Sequence, residues 1–219
     1  MDTDNIILEQ IVVGPLAVNC YLVGDRGLGK IAIIDPGCEG KTIRAAIERL
    51  RVEPVCIVLT HGHIDHIGAN RELHEKYDIP IFIHQEDAPL LTVEQDRELQ
   101  ILIGGSPSPP ADDFIAEGES MRIGDVELSF IHTPGHTPGS VSIKCAQGII
   151  TGDTLFNMGV GRTDLPGGSM STLIKSITEK LYREDPDTVI YPGHGPGSTI
   201  GDEMKFNPFV RYGETSGTF

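Results

Sequence analysis

The 219-residue sequence predicts an α/β protein made of two similar αβ halves whose sheets pack together. Three observations carry that expectation. Apolar runs of strand length alternate with stretches of helical spacing, in the order strands, helices, strands, helices. Each half contains an apolar strand that runs into a histidine-bearing loop. Apolar residues make up 39% of the chain, enough at this length for a substantial core. No apolar run approaches the roughly 20 residues of a membrane-spanning helix.

The elements follow in order. IILEQIVV (6–13), NCYLVG (19–24) and IAIIDPG (31–37) are β-rich runs separated by Gly/Pro or charged turns. Ile43, Ala46, Ile47 and Leu50 then repeat with helical spacing. VCIVLT (55–60) is continuously apolar, which predicts a central strand buried on both faces. Residues 68–77 are expected as a helix and IPIFIH (79–84) as a strand. From Gln85 to about Gly118 the pattern loosens. PLLTVEQDRELQILI has helical character, whereas GGSPSPPADD is a loop. The whole sequence is read as one domain, 1–219, with 85–118 as a lid or an insertion, or as a dimer contact. A second set of strands lies in MRIGDVELSFIHTPGH, SVSIKC and GIITGD. Met170, Leu173, Ile174, Ile177 and Leu181 share one helical face within 169–182, and TVIYPGHG (188–195) is a last strand entering a loop.

Composition narrows the function. With 17 Lys+Arg against 32 Asp+Glu the formal charge is -15, which argues against nucleic-acid binding. An anionic substrate would need local positive charge, and a bound metal would supply it. The start, MDTDNIILEQ, has acidic residues where a secretory signal has basic ones, so the protein is read as cytoplasmic. The four cysteines have no CxxC spacing and no disulfide is expected. Cys20, Cys56 and Cys145 lie in strand-like runs and read as small buried residues, while Cys38, after IDPG, is expected to be more exposed.

The chemistry concentrates in THGHIDHIG (60–68), which holds three of the eight histidines and an aspartate. Either this is a metal site or a His-rich polar turn. Residues at i and i+2 do not share a helix face, so His61 and His63 converge best from a loop at a strand end. Asp65 and His66 follow closely enough to serve a neighbouring position. Imidazole and carboxylate both suit zinc and similar ions. His136 in HTPGHTPG, Asp153 in ITGDT and His194 in YPGHG each sit at a further strand-to-loop junction. A polar turn does not explain that recurrence, and a metal site does.

Taken together, IDPG, THGHIDHIG, HTPGHTPG, TGDTLF and YPGHG resemble the metallo-β-lactamase superfamily, in its order and across nearly the whole chain. The resemblance implies a four-layer αββα sandwich with the site along one edge of the sheets. It implies one metal on His61, His63 and His136, a second on Asp65, His66 and His194, and Asp153 bridging both. The ions implied are divalent, with zinc the first choice and iron or manganese the alternatives. True β-lactamases of this fold usually lack the bridging aspartate and are secreted, and the tRNA-processing nucleases carry a basic exosite. FNMGVGRTDLPGGS (156–169) instead resembles the compact bacterial glyoxalase II (hydroxyacylglutathione hydrolase) branch, and its GRTD is shared with the persulfide dioxygenases. Longer glyoxalase II enzymes hold glutathione with a C-terminal helical extension, whereas this sequence stops at Phe219, which leaves the thiol carrier open.

The expected reaction is therefore hydrolysis of a thioester such as S-lactoylglutathione, by a hydroxide made available between two cations. Asp65 is expected to orient that hydroxide as well as to ligate. The alternative is a mononuclear Fe(II) persulfide dioxygenase using His61, His136 and Asp153. A metal-binding module without catalysis is the third reading. Asp35 is expected to orient a ligand or loop. Arg162 either pairs with Asp164 or binds a substrate carboxylate. His132 is expected as a hydrogen-bonded structural histidine, with ligation a minor alternative. His74 and His84 are read as structural or solvated, and Tyr191 and Asn207 as packing residues. The expected partner is a small thiol-derived substrate, with no nucleic acid and no membrane. The chain is read as a monomer or a homodimer, with ILIGG as a plausible contact.

Overall fold

The computed structural model describes residues 5–93, 95 and 97–210. The acidic first residues, the C-terminal end at Phe219, and Glu94 and Asp96 of the 85–118 segment lie outside the described residues.

Two six-stranded sheets face each other. The first runs in the order β1 (Ile6–Val13), β2 (Val18–Asp25), β3 (Lys30–Ile34), β4 (Glu53–Val58), β5 (Ile81–His84), β6 (Asp113–Ile115). The second contains β7 (Ser120–Ile123), β8 (Val126–His132), β9 (Val141–Cys145), β10 (Gly148–Gly152), β13 (Val189–Pro192) and β14 (Ser198–Thr199), in the order β14-β13-β10-β9-β8-β7. A small hairpin of β11 (Leu155–Phe156) and β12 (Gly159–Val160) stands apart. Helices α1 (Gly40–Leu50), α2 (Ile64–Ile67), α3 (Asn70–Tyr77) and α4 (Arg97–Ile103) accompany the first sheet, and α5 (Met170–Glu179) and α6 (Ile200–Phe206) the second. This is the αββα layering that the resemblance implies.

The layering explains the apolar runs. Along β2, β3 and β4, alternate residues serve opposite faces. Cys20, Leu22, Ile31, Ile33 and Ile57 pack against the helices. Tyr21, Val23, Ala32, Ile34, Cys56 and Val58 meet Leu128, Phe130, Val141 and Ile143 of the other sheet. A strand covered on both sides has no polar face, so it reads as a continuous apolar stretch. The edge strands do show exposed positions, as in β1 and β7.

Several boundaries differ from the expectation. The third strand stops at Ile34, because Asp35 has φ +48° and Pro36 follows. The helix expected over 68–77 begins at Asn70, and α2 over Ile64–Ile67 is a separate turn inside the histidine cluster. The helix expected over 169–182 ends at Glu179 and a 3-10 turn, Leu181–Arg183, follows. It starts where Ser169 caps it, accepting from the Thr172 N–H. Cys38 corrects an expectation: it is 3% exposed, under the Gly14 turn, and burial pushes its thiol up to about 11. Among the described residues no helix is long and apolar enough to cross a membrane.

Candidate metal centre

All the predicted ligands come from strand ends or the loops directly after them, at one edge of the two sheets. β4 leads through Leu59 and Thr60 into His61, His63 and α2, which bears Asp65 and His66. β8 leads to His136, β10 to Asp153 and β13 to His194. The loop after β13 also meets β2, since Val18 forms a bridge with His194.

These side chains gather as two triads. The potential ligand atoms of His61, His63 and His136 lie within 4.8 Å of one another, as do those of Asp65, His66 and His194. His63 Nδ1 is 2.9 Å from His136 Nε2, and His66 Nε2 is 3.3 Å from His194 Nε2. Asp153 stands between the triads. One of its carboxylate oxygens is 3.5 Å from His66 Nε2, and the other is 3.5 Å from His136 Nε2 and 3.6 Å from His194 Nε2. Asp65 Oδ2 lies 3.5 Å from His194 Nε2.

The hydrogen bonds around the rings fix which nitrogen is free to coordinate. A carbonyl or carboxylate oxygen only accepts, so the ring nitrogen facing it carries the proton. His66 Nδ1 donates to Asp35 Oδ2, His136 Nδ1 to the Arg162 carbonyl and His194 Nδ1 to the Leu16 carbonyl. The Thr60 hydroxyl donates to Asp35 Oδ2 and so accepts from His61 Nδ1. Four imidazoles thereby turn a lone-pair Nε2 inward. Metal-binding histidines are held in this way. His61 Nε2 and Asp153 Oδ1 are moreover buried without a hydrogen-bond partner. Buried unpaired acceptors are costly unless a cation sits among them. The residues present fit two divalent ions.

The charge balance differs between the triads. Burial, then the neighbouring His66 and His136, pushes His61 well below the usual imidazole range. Burial and His136 take His63 down to about 4. His61 and His63 are therefore neutral imidazoles. The second is rich in carboxylate. Burial works against charge on His66, but Asp153, Asp65 and Asp35 outweigh it and raise its pKa. Burial likewise opposes ionisation of Asp65, and His66 and His194 override it and hold the carboxyl low. Such a pocket favours positive charge.

The other predicted residues divide clearly. Asp35, at 1% exposure, accepts from the Thr60 N–H (2.8 Å) and the Thr60 hydroxyl (2.6 Å) as well as from His66, so it bonds His66 of one triad directly and reaches His61 of the other through the Thr60 hydroxyl. Arg162 reaches the site through its carbonyl. Its guanidinium is exposed and forks onto Asp164 at 2.7 and 2.8 Å. His132 is not brought to the triads. Its Nε2 donates to the Pro138 carbonyl and its ring stacks on His84 at 4.2 Å. His74 bonds the Ile79 carbonyl at 2.8 Å. Tyr191 packs edge-on against Tyr21. Asn207 does more than pack: with buried Glu203 it holds the β11–β12 hairpin, through Gly159 and Met158.

Sequence reasoning missed Asp87 and Gln95, which hold the ligand loops from the 85–118 segment. Their only advance signal was position, soon after a strand that ends at the site edge. It also missed Phe156, whose ring stands edge-on to His194 at 6.2 Å.

The superfamily model for metallo-beta-lactamases matches residues 13–194, which takes in every ligand named above. The chain belongs to that superfamily. It is 41% identical, over 92% of its length and 96% of the other's, to the Bacillus subtilis protein named probable metallo-hydrolase YqgX. It is 37% identical to hydroxyacylglutathione hydrolase GloC of Haemophilus influenzae, over 93% of its length and 97% of that protein's. Among solved structures, the B3 metallo-beta-lactamase BLEG-1 superposes with a TM-score of 0.86 at 35% identity, over 93% of this chain and 99% of that one. TTHA1623, solved in a di-iron-bound form, gives 0.81 at 35% identity, over 92% and 100%.

Proposed function

We propose that this protein is a binuclear metal-dependent hydrolase of acyl thioesters, with a hydroxyacylglutathione such as S-lactoylglutathione as its substrate. The observation that carries this reading is the pair of triads with Asp153 between them. His61, His63 and His136 would hold one divalent ion, Asp65, His66 and His194 the other, and Asp153 would bridge. Bound there, the ions would supply water acidified toward neutrality and a Lewis acid for a carbonyl oxygen.

The chain's own residues do the rest. Asp65 and Asp153 place carboxylates where they can orient a water proton. Asp35 and the backbone carbonyls of Leu16 and Arg162 keep the imidazoles in one tautomer and one orientation. The leaving group of a thioester is a thiolate, whose conjugate acid has a pKa of about 8.5. It needs no strong general acid. Arg162, whose carbonyl holds His136, carries an exposed cationic side chain, and exchange of Asp164 for a substrate carboxylate would use the same two-pronged geometry. The 37% identity to the hydrolase GloC supports the same substrate class. The unpaired, buried cysteines support a reducing, cytoplasmic setting.

The test is elemental analysis of protein purified without added metal, read beside cleavage of S-lactoylglutathione. Two ions per chain with thioester turnover is the expected result. Protein carrying two ions that leaves a panel of acyl thioesters intact would reject the assignment. One iron per chain, with oxygen uptake on glutathione persulfide, would replace it with the dioxygenase.

A further inference from the structure

We propose that Asp87 is the positioning residue of the His61–His63–His136 triad, and that it sets cation affinity there without acting on the other triad. This inference rests on the binuclear reading above.

Asp87 follows β5, is 0% exposed, and spends both carboxylate oxygens on the two loops that deliver this triad. Oδ2 accepts the Gly62 N–H at 2.9 Å, and Gly62 is the residue between His61 and His63. Oδ2 also accepts the Thr137 hydroxyl at 2.7 Å, next to His136, and Oδ1 accepts the Gly139 N–H at 2.7 Å. The Thr137 hydroxyl in turn lies 2.6 Å from the Ser140 hydroxyl, which can donate to it. Three donors to one buried carboxylate are charge-assisted bonds, stronger than neutral ones. They tie a loop after β4 to a loop after β8, which belongs to the opposite sheet.

A second side chain completes the grip. Gln95 Nε2 donates to the Gly62 carbonyl at 2.7 Å, and its Oε1 accepts the Ile64 N–H at 3.0 Å. The peptide units on both sides of His63 are thus held from the 85–95 segment. The approach is so close that a Cβ on Gly62 would fall 2.7 Å from Leu90 Cβ and 3.0 Å from the Asp87 carbonyl oxygen. A Cβ on Gly139 would fall 2.6 Å from Asp87 N. Both positions require glycine because the Asp87 turn lies against them. Among the described residues, no side-chain hydrogen bond of Asp87 reaches Asp65, His66 or His194.

The experiment separates the two sites by disabling one at a time. Metal-free protein is titrated with cobalt(II) in a His194→Ala background, which leaves the first triad whole, and in a His63→Ala background, which leaves the second. Adding Asp87→Asn should weaken cobalt binding about 10- to 100-fold in the first background. It should leave affinity unchanged in the second. Equal weakening in both backgrounds, or in neither, overturns the proposal. Thr137→Val in the same two backgrounds carries the test if Asp87→Asn does not fold. It should reproduce the one-sided loss, and Thr137→Ser should restore binding. A wild-type chain that takes up no cobalt would reject the metal reading itself. Two bound equivalents with an affinity indifferent to Asp87 would reject the positioning role alone.

Discussion

A neutral imidazole whose one nitrogen is committed to a carbonyl has a single lone pair left, and its direction decides what the residue can do. At His136 and His194 that direction is inward, because the Arg162 and Leu16 carbonyls take the outer N–H. The candidate ligands after β4 were legible in the sequence because imidazoles at i and i+2, directly after an apolar strand, suit metal ligation far better than a polar turn. Asp87 and Gln95 were not, since a lone aspartate or glutamine in a loop has no local pattern that marks it. Arg162 could be weighed from the sequence only as an even choice between Asp164 and a ligand. The fork onto Asp164 shows one partner, and the exposure of both side chains leaves it exchangeable. Arg162→Ala should therefore raise KM roughly several-fold for a carboxylate-bearing thioester, the modest effect of a solvent-exposed ionic contact. It should leave KM for a thioester of a neutral thiol unchanged, as steady-state kinetics on the two substrates would read.

At the scale of elements, burial on both faces made β2, β3 and β4 readable and placed them at the centre. Ile57 is 0% exposed and packs between β4 and the helices. Ile57→Ala should cost about 2–5 kcal/mol in denaturant unfolding. Ile101→Ala, at a position 73% exposed, should cost little in the same measurement. The short strands β6, β11, β12 and β14 were not legible, because two or three residues carry no period. What holds the β11–β12 hairpin is remote in sequence. Glu203 Oε2 on α6 accepts the Met158 N–H at 2.9 Å and the Asn207 amide at 2.8 Å, and Ser198 bonds its other oxygen. Glu203→Ala leaves these donors unpaired and should destabilise the protein by about 1–3 kcal/mol. Amide hydrogen exchange should show the loosening concentrated in the hairpin that carries Phe156 against His194.

For the molecule as a whole, bound ions and inter-sheet ties should both register in stability. A ligand that binds only the folded state stabilises it by about 4 kcal/mol at a thousandfold excess over Kd. Chelation should therefore lower Tm, whereas a His61→Ala/His66→Ala variant should respond far less. Asp25, at the end of β2, accepts the Leu28 N–H at 3.0 Å and, from the opposite sheet's turn, the Asp125 N–H at 2.8 Å. These bonds hold its carboxyl below the usual range. A depressed folded-state pKa contributes stability that is present above the unfolded value of about 3.9 and is lost as pH falls through the folded one. Asp25→Asn should thus lower Tm at neutral pH, and the gap to wild type should close in melts below about pH 4. The sequence by itself determined the order of strands and helices, the buried central strand β4 and the cluster of candidate ligands, because alternation, apolar continuity and donor chemistry are properties of neighbouring residues. Only the tertiary structure decided which nitrogen each imidazole presents, how closely the side chains approach one another, and that Asp87 and Glu203 support the site. Those are contacts between segments tens of residues apart, fixed when two sheets close over a common core.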